Sequence, residues 1–459
     1  MRENIKILQF GEGNFLRAFA DDIVCRLRKK GLFDGLIRVF NLRKSGSVSK
    51  LADNGCKYHL VLRGIDPERG AVSETSVVDS ISDAVNCYGQ YGKFVESALL
   101  PDLRFVISNS TEAGIYFDAS DKFSDTPPTS FPAKLTQLLF KRFKHFGGDE
   151  KKGLVLLPCE LLERNGDELK SCVLKYAQSW GLECGFSEWL ESACVFCNTL
   201  VDRIVSGHPA DDDKFITDPA ILTDPISVVG EPYLFWAIES PQNFSGELPL
   251  DKCGLNVIFT DDIAPYRARK VALLNAPHTL AAAIGMLGGI ETVREAVEHP
   301  VLGGYIQKLM FSELAESLSA PRAQSEAYAR EILDRFRNPY LEHKLSSIAN
   351  NAIAKCKVRV IPQLAKYREK TGGFAPLMMY GLAANALMAF KNPQYLPALP
   401  DAENIAKETE CAAFAEKLAK CPFFAGEFAG DGEFKRALLN ALETIERGGA
   451  LGGIEKLLK

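Results

Sequence analysis

What most constrains the fold of this chain is a glycine turn placed immediately after its first strand. Ile5-Lys6-Ile7-Leu8-Gln9-Phe10 reads as a strand, Gly11-Glu12-Gly13-Asn14 as a turn, and Phe15 to Lys29 repeats apolar residues at helical spacing. A strand that ends in Gly-x-Gly and opens a helix is the start of a dinucleotide-binding βα unit. The glycines let the backbone turn tightly and approach a pyrophosphate, and the helix N-terminus offers free N–H groups and the positive end of its dipole. The third glycine of the usual fingerprint is missing. Because any strand-to-helix turn can use glycine, the weight of the motif depends on the pattern of the next 150 or so residues.

That pattern alternates. Leu36 to Asn41, His59 to Leu62, Ser76 to Val78, Arg104 to Ser108 and Gly153 to Pro158 read as strands; helical spacing covers Tyr91 to Leu99, Ala133 to His145 and Asn165 to Trp180. Such alternation predicts a parallel sheet covered on both faces. Residues 207–252 read as loop-rich, with Pro209, Pro219, Pro225, Pro232 and Pro241, and Leu255 to Thr260 reads as a last strand. Beyond Tyr266 the pattern is helical, punctuated by prolines. The fold class is therefore α/β: a Rossmann-like, dinucleotide-binding domain over residues 1–245, then a mostly α-helical domain over 246–459.

With 459 residues the chain suits two or three domains. A net charge of −5 argues against a nucleic-acid partner. No apolar run approaches the roughly 20 residues that span a bilayer. The N-terminus runs straight into a strand and predicts no signal peptide, so a cytoplasmic location is expected. The 12 cysteines are scattered through apolar segments, so reduced, buried thiols are expected. Cys194 and Cys197 have CxxC spacing, but without a second pair or a thioredoxin-like context they read as structural.

The end of the second strand, Asn41-Leu42-Arg43-Lys44-Ser45, lacks the acid that usually binds the ribose hydroxyls. Asn41 has an amide suited to a ribose. Arg43 and Lys44 carry the charge for a 2′-phosphate, or are solvated surface charges.

A second constellation lies in Lys270-Val-Ala-Leu-Leu-Asn275-Ala-Pro-His278, within an apolar helical segment. Asn275 and His278, three apart, share a helix face. Lys270 is about two turns earlier and roughly 80° around the axis from His278. Pro277 removes the hydrogen bond to the Leu273 carbonyl and predicts a kink beside these polar groups. Alcohol oxidation needs a base for the hydroxyl proton, and a lysine whose pKa burial lowers serves near neutral pH. An amide and an imidazole can hold the developing alkoxide. A surface lysine, a cap-like asparagine and a core histidine remain the plain alternative for these residues alone.

Taken together, six segments resemble the mannitol dehydrogenase family, the polyol-specific long-chain dehydrogenases/reductases. They are Gln9 to Phe19, Ser108 to Ile115, Pro158 to Gly166, Thr199 to Val205, Asp262 to His278 and Arg337 to Tyr340. The resemblance implies a Rossmann-like nucleotide domain, NAD(H) as cofactor and a metal-independent mechanism. Lys270 would be the general acid/base, Asn275 the oxyanion partner and His278 a substrate ligand. Phe10, Gly11, Gly13, Asn14, Phe15, Arg17, Asn41, Ser108, Asn109, Thr111 and Glu112 would line the cofactor, and Asp202 and Lys355 the substrate. Two departures count against mannitol: Leu161 replaces a second oxyanion asparagine, and Arg267 replaces a glutamate three residues before the lysine.

Those departures favour a sugar acid, whose carboxylate calls for a fixed cation, preferably arginine. Lys355 and Arg359 are the candidates, with Arg267 next to the catalytic segment; a solvated basic helix face is the alternative. A fructuronate reductase and a mannitol or other polyol dehydrogenase of the same family compete for the assignment. A nicotinamide-binding regulator and a Cys194–Cys197 redox protein are more distant competitors. A monomer or small homo-oligomer acting on a small molecule is expected.

Overall fold

The structure, a computed structural model, describes residues 4–46, 48–66, 68–110, 114–399 and 401–458. The chain forms two compact units, residues 1–63 with 72–263, and residues 264–459 with 64–71.

The strands run in chain order β1 (Ile5–Phe10), β2 (Leu36–Phe40), β3 (Tyr58–Asp66), β4 (Gly70–Val78), β5 (Ile81–Val85), β6 (Phe105–Ser108), β7 (Val155–Pro158), β8 (Val195–Phe196), β9 (Asn198–Asp202), β10 (Val205–Gly207), β11 (Val228–Gly230), β12 (Phe235–Glu239) and β13 (Asn256–Thr260). Six of them build one sheet in the order β5-β2-β1-β6-β7-β8, with all neighbours parallel. Parallel strands are buried on both faces, so their sequences are continuous apolar runs. Alternate residues feed opposite cores: Ile7, Val39, Ile107 and Leu157 pack on one face, and Leu8, Phe40, Val106 and Leu156 on the other. The strand order reverses between β1 and β6, so a crevice opens at their carboxyl ends, where this doubly wound fold binds nucleotides.

Helices α1 (Asn14–Arg17) and α2 (Ala20–Lys29) replace the single helix expected from Phe15 to Lys29. The break is at Phe19, whose backbone leaves the helical region (φ −128°, ψ −89°) while its ring packs on Trp236 at 5.3 Å. Helices α3 (Phe131–His145) and α4 (Asn165–Ser179) match their expected positions. The loop-rich reading of 207–252 missed β11 and β12, which are too short and proline-flanked to show a period. β12 lies between β9, antiparallel, and β13, parallel. That pairing ties 256–260 to the first unit, which runs to Ile263.

The second unit is helical. Its site-bearing elements are α5 (Ala264–Lys270), α6 (Ala276–Leu287), α7 (Arg322–Phe336), α8 (Ala352–Arg359) and α9 (Pro376–Lys391). α9 is buried around most of its circumference, because Leu377, Met378, Tyr380, Leu382 and Phe390 all enter one core with Leu280 and Ile284 of α6. Among the described residues, no helix is long and apolar enough to cross a membrane.

Candidate active site

In the first unit the glycine turn sits at the β1–β6 crevice. Gly11 has φ +118°, and a Cβ there would stand 2.7 Å from the Asn109 carbonyl oxygen, so glycine is required by backbone and space alike. At Gly13 an added Cβ would meet nothing within 4 Å, which leaves that backbone open to a ligand. The side chains expected to line the cofactor are mostly committed to holding the turn. Phe10 is fully buried among Phe40, Phe94 and Phe131. Phe15 stacks on Phe19 at 4.8 Å. Arg17 is buried and donates to the Ile226 carbonyl and to Asn14 Oδ1. Asn109 Nδ2 donates to the Cys159 carbonyl at 2.7 Å. Ser108 donates through Oγ to Glu160 Oε2 at 3.1 Å, and Ser110 donates to Oε1 through N (2.9 Å) and Oγ (3.0 Å). Glu160, unforeseen from the sequence, thus bridges the ends of β6 and β7; burial pushes its carboxyl up against these donors.

Asn41 is occupied as well. Its Nδ2 donates to the Arg43 carbonyl (2.8 Å) and to Asn86 Oδ1 (3.3 Å), and its Oδ1 accepts from Cys87 N (2.8 Å). Thr111 and Glu112 lie outside the described residues. Asp202, the last residue of β9, is buried in the first unit.

In the second unit the expected proline kink takes a different form. Between α5 and α6, residues Val271–Asn275 form a π-turn in which Ala276 N donates to Val271 O, five residues back. Pro277 has no N–H, and its ring would collide with the Leu273 carbonyl in a regular helix; a widened turn relieves that collision. The consequence is chemical. In an α-helix, residues five apart lie about 140° apart around the axis. In a π-turn, residues five apart stack as residues four apart do in an α-helix. Lys270 and Asn275 therefore come onto one side, and His278, three residues on, joins them. All three are half-buried.

The imidazole of His278 stacks on Phe336 (centroids 4.1 Å, 20°) and meets His343 edge-to-face (5.2 Å, 80°). Its Nε2 is buried without a hydrogen-bond partner. Burial drives its pKa well below the usual histidine value, helped by His343, Arg335, Arg359 and Lys355. His343 is lowered too, by burial and then by Lys355. Both rings are thus held toward the neutral form beside Arg335, Arg359 and Lys355. Lys355 and Arg359, four apart on α8, share a face. Lys355 Nζ donates to the Ile348 carbonyl at 2.8 Å. Arg359 Nη1 donates to Thr279 Oγ1 at 3.2 Å, and Thr279 Oγ1 donates to the Asn275 carbonyl at 2.9 Å, which ties the guanidinium to the π-turn. Arg267, three before Lys270 on α5, is half-buried.

Family models add an independent line. The mannitol dehydrogenase Rossmann domain matches residues 5–252, and the mannitol dehydrogenase C-terminal domain matches residues 262–412. The chain belongs to the mannitol dehydrogenase family. Similar family members include proteins named altronate oxidoreductase. The one from Phocaeicola vulgatus is 44% identical over 83% of this chain and 79% of that protein. The one from Bacillus subtilis is 42% identical over 83% and 78%. Among solved structures, D-sorbitol dehydrogenase superposes with a TM-score of 0.85 at 23% identity, covering 98% of this chain and 95% of that one. The Pseudomonas fluorescens mannitol 2-dehydrogenase, a complex with NAD and D-mannitol, superposes at 0.74 and 22%, covering 100% and 95%. These two likenesses concern the fold.

Leu161, which stands where the family resemblance puts a second oxyanion asparagine, is 59% exposed, while Glu160 beside it is buried. His343, Arg335 and Phe336, not anticipated from the sequence, surround His278. Cys194 and Cys197 are buried, unpaired thiols whose pKa burial pushes up to about 12, which disfavours thiolate chemistry.

Proposed function

We propose that this chain is an altronate oxidoreductase, reversibly reducing D-tagaturonate to D-altronate with NADH. It would act in the cytoplasm on this small sugar acid as a monomer or small homo-oligomer, with neither nucleic acid nor membrane as partner. The observation that carries the reading is the π-turn closed by Ala276 on Val271, whose geometry turns Lys270, Asn275 and His278 to one side, with Lys355 and Arg359 acting on His278. The names of the relatives, at 40–44% identity, support the substrate. The open backbone at Gly13 and the β1–β6 crevice fit a dinucleotide, which would be held by the Gly11–Gly13 turn and the ends of β1 and β6.

When bound, the nicotinamide supplies hydride in reduction and accepts it in oxidation. As the ketone carbon gains hydride, negative charge gathers on its oxygen. The Lys270 ammonium gives that oxygen its proton; in the reverse direction the free amine takes the proton from the alcohol. Asn275, through its amide N–H, and neutral His278, through one ring N–H, hold the oxygen while charge is on it. His278 serves as a fixed donor and not as a competing acid, because burial and the neighbouring cations keep it unprotonated. Arg359, held by Thr279, takes the carboxylate, with Lys355 beside it.

Replacing Lys270 by alanine tests the reading. Turnover followed at 340 nm should fall by about 10²–10⁴-fold, while NADH still binds in a fluorescence titration. Turnover surviving near the wild-type rate would refute the role. A panel of hexuronates, hexonates and hexitols fixes the substrate; faster turnover of a hexitol would refute the sugar-acid reading.

A further inference from the structure

A nucleotide-binding βα unit ordinarily ends its second strand in an acid that accepts hydrogen bonds from the adenosine ribose. Here β2 runs into Asn41-Leu42-Arg43-Lys44, with no carboxylate. Asn41 cannot substitute, since its amide is spent on Arg43, Asn86 and Cys87. Arg43 and Lys44 are exposed, and on charge alone this loop would invite a 2′-phosphate.

A carboxylate reaches the same place from the neighbouring turn. Glu12, between the two glycines, is half-buried. A Cβ built on Gly46 would stand 2.3 Å from Glu12 Oε1 and 2.8 Å from the Asn41 Cβ. The missing side chain at Gly46 is therefore what lets the carboxylate close on the loop after β2. β1 and β2 are parallel neighbours with Phe10 opposite Phe40, so the two turns emerge side by side at the carboxyl edge of the sheet.

We propose that Glu12 is the carboxylate that receives the adenosine ribose hydroxyls and selects NAD(H) over NADP(H). The inference rests on the nucleotide reading above. The vicinal 2′- and 3′-hydroxyls both donate to a carboxylate, whereas a 2′-phosphate would bring like charge against it. Arg43 and Lys44, in water, act through a screened field that decays within about 8–10 Å. Glu12 is half-buried, so its charge is less screened than theirs.

Direct titration of the whole protein with NADH and with NADPH, without sugar substrate, tests this apart from turnover. The wild type should bind NADH at least about tenfold more tightly than NADPH, and Glu12→Gln should narrow that ratio by about tenfold or more, the range of hydrogen bonds to a charged group. Glu12→Lys should invert it. Glu12→Asp, which keeps the charge, should retain most of the preference and guards against loss of structure in the other two. Equal binding of both nucleotides by the wild type would overturn the inference, as would a ratio unchanged in Glu12→Gln and Glu12→Lys, even with both nucleotides weakened. Failure of the wild type to bind either nucleotide would overturn the cofactor reading itself, and this inference with it.

Discussion

Asp21 offers a quantitative test of how the nucleotide turn is held. It lies on α2 and is fully buried. The Tyr58 hydroxyl lies 3.0 Å from Oδ2 and 2.8 Å from the Arg17 carbonyl, linking the carboxyl to the end of α1. Asp21 Oδ1 and Gln9 Oε1 are both buried acceptors with no donor, and Gln9 Nε2 donates to the Gly11 carbonyl at 3.1 Å. A proton on Asp21 removes a buried charge and turns the carboxyl into a donor. Burial pushes its pKa from 3.8 to about 7, against the opposing pull of Tyr58, Arg17 and Gln9. The shift of about three units corresponds to about 4 kcal/mol. The folded pKa is raised, so the folded state keeps its proton where the unfolded chain has lost it, and stability falls as pH rises from about 4 through about 7. Asp21→Asn carries a permanent donor and does not titrate. The stability difference, variant minus wild type, should therefore climb by about 4 kcal/mol between pH 4 and pH 8 and then level off. Tryptophan fluorescence during urea unfolding measures it for the right unit, because all 3 tryptophans, Trp180, Trp189 and Trp236, lie in the first unit. A flat difference would refute protonation in the folded state. A difference that falls with pH would show that Arg17 stabilises the charged form, reversing the argument.

The geometry fixes further outcomes. Gly11→Ala, at φ +118° and 2.7 Å from the Asn109 carbonyl, should cost about 2 kcal/mol or more in the same unfolding assay. Gly13→Ala, with nothing within 4 Å, should leave stability within about 0.5 kcal/mol and weaken NADH binding by about tenfold, a loss near 1.4 kcal/mol. Arg359→Ala should lower kcat/KM for the sugar acid by about a hundredfold, within the range for truncating one partner of a desolvated charge pair. Its effect on a neutral hexitol should be much smaller, and equal losses on both would remove Arg359 from carboxylate recognition.

How much of this was legible in the sequence depends on how far apart the interacting residues lie. The Gly11 turn is local: strand, glycine and helix come one after another, and the backbone at Gly11 has the positive φ that only glycine takes readily. The apolar strand runs are local too, but their order in the sheet is not, since β1 pairs with β2 and with β6, nearly 100 residues later. Asn41 reads as available because its partners Asn86 and Cys87 come from the end of β5. His343 and Arg335 were invisible for the same reason: nothing near His278 in the chain announces them, and only folding brings them to one ring.

The π-turn is a different case, because its cause is written in the sequence and its form is not. Pro277 announces that the regular hydrogen bond to Leu273 is lost, and a kink is the ordinary consequence. A kink alone, however, leaves Lys270 and Asn275 about 140° apart, a poor arrangement for two groups that the proposed reaction brings to one oxygen. The five-residue spacing is itself the clue. It is unsuited to an α-helix and suited to a turn closed by bonds five residues back, the bond made by Ala276 to Val271. Proline, spacing and chemistry thus impose one requirement, and the widened turn satisfies all three.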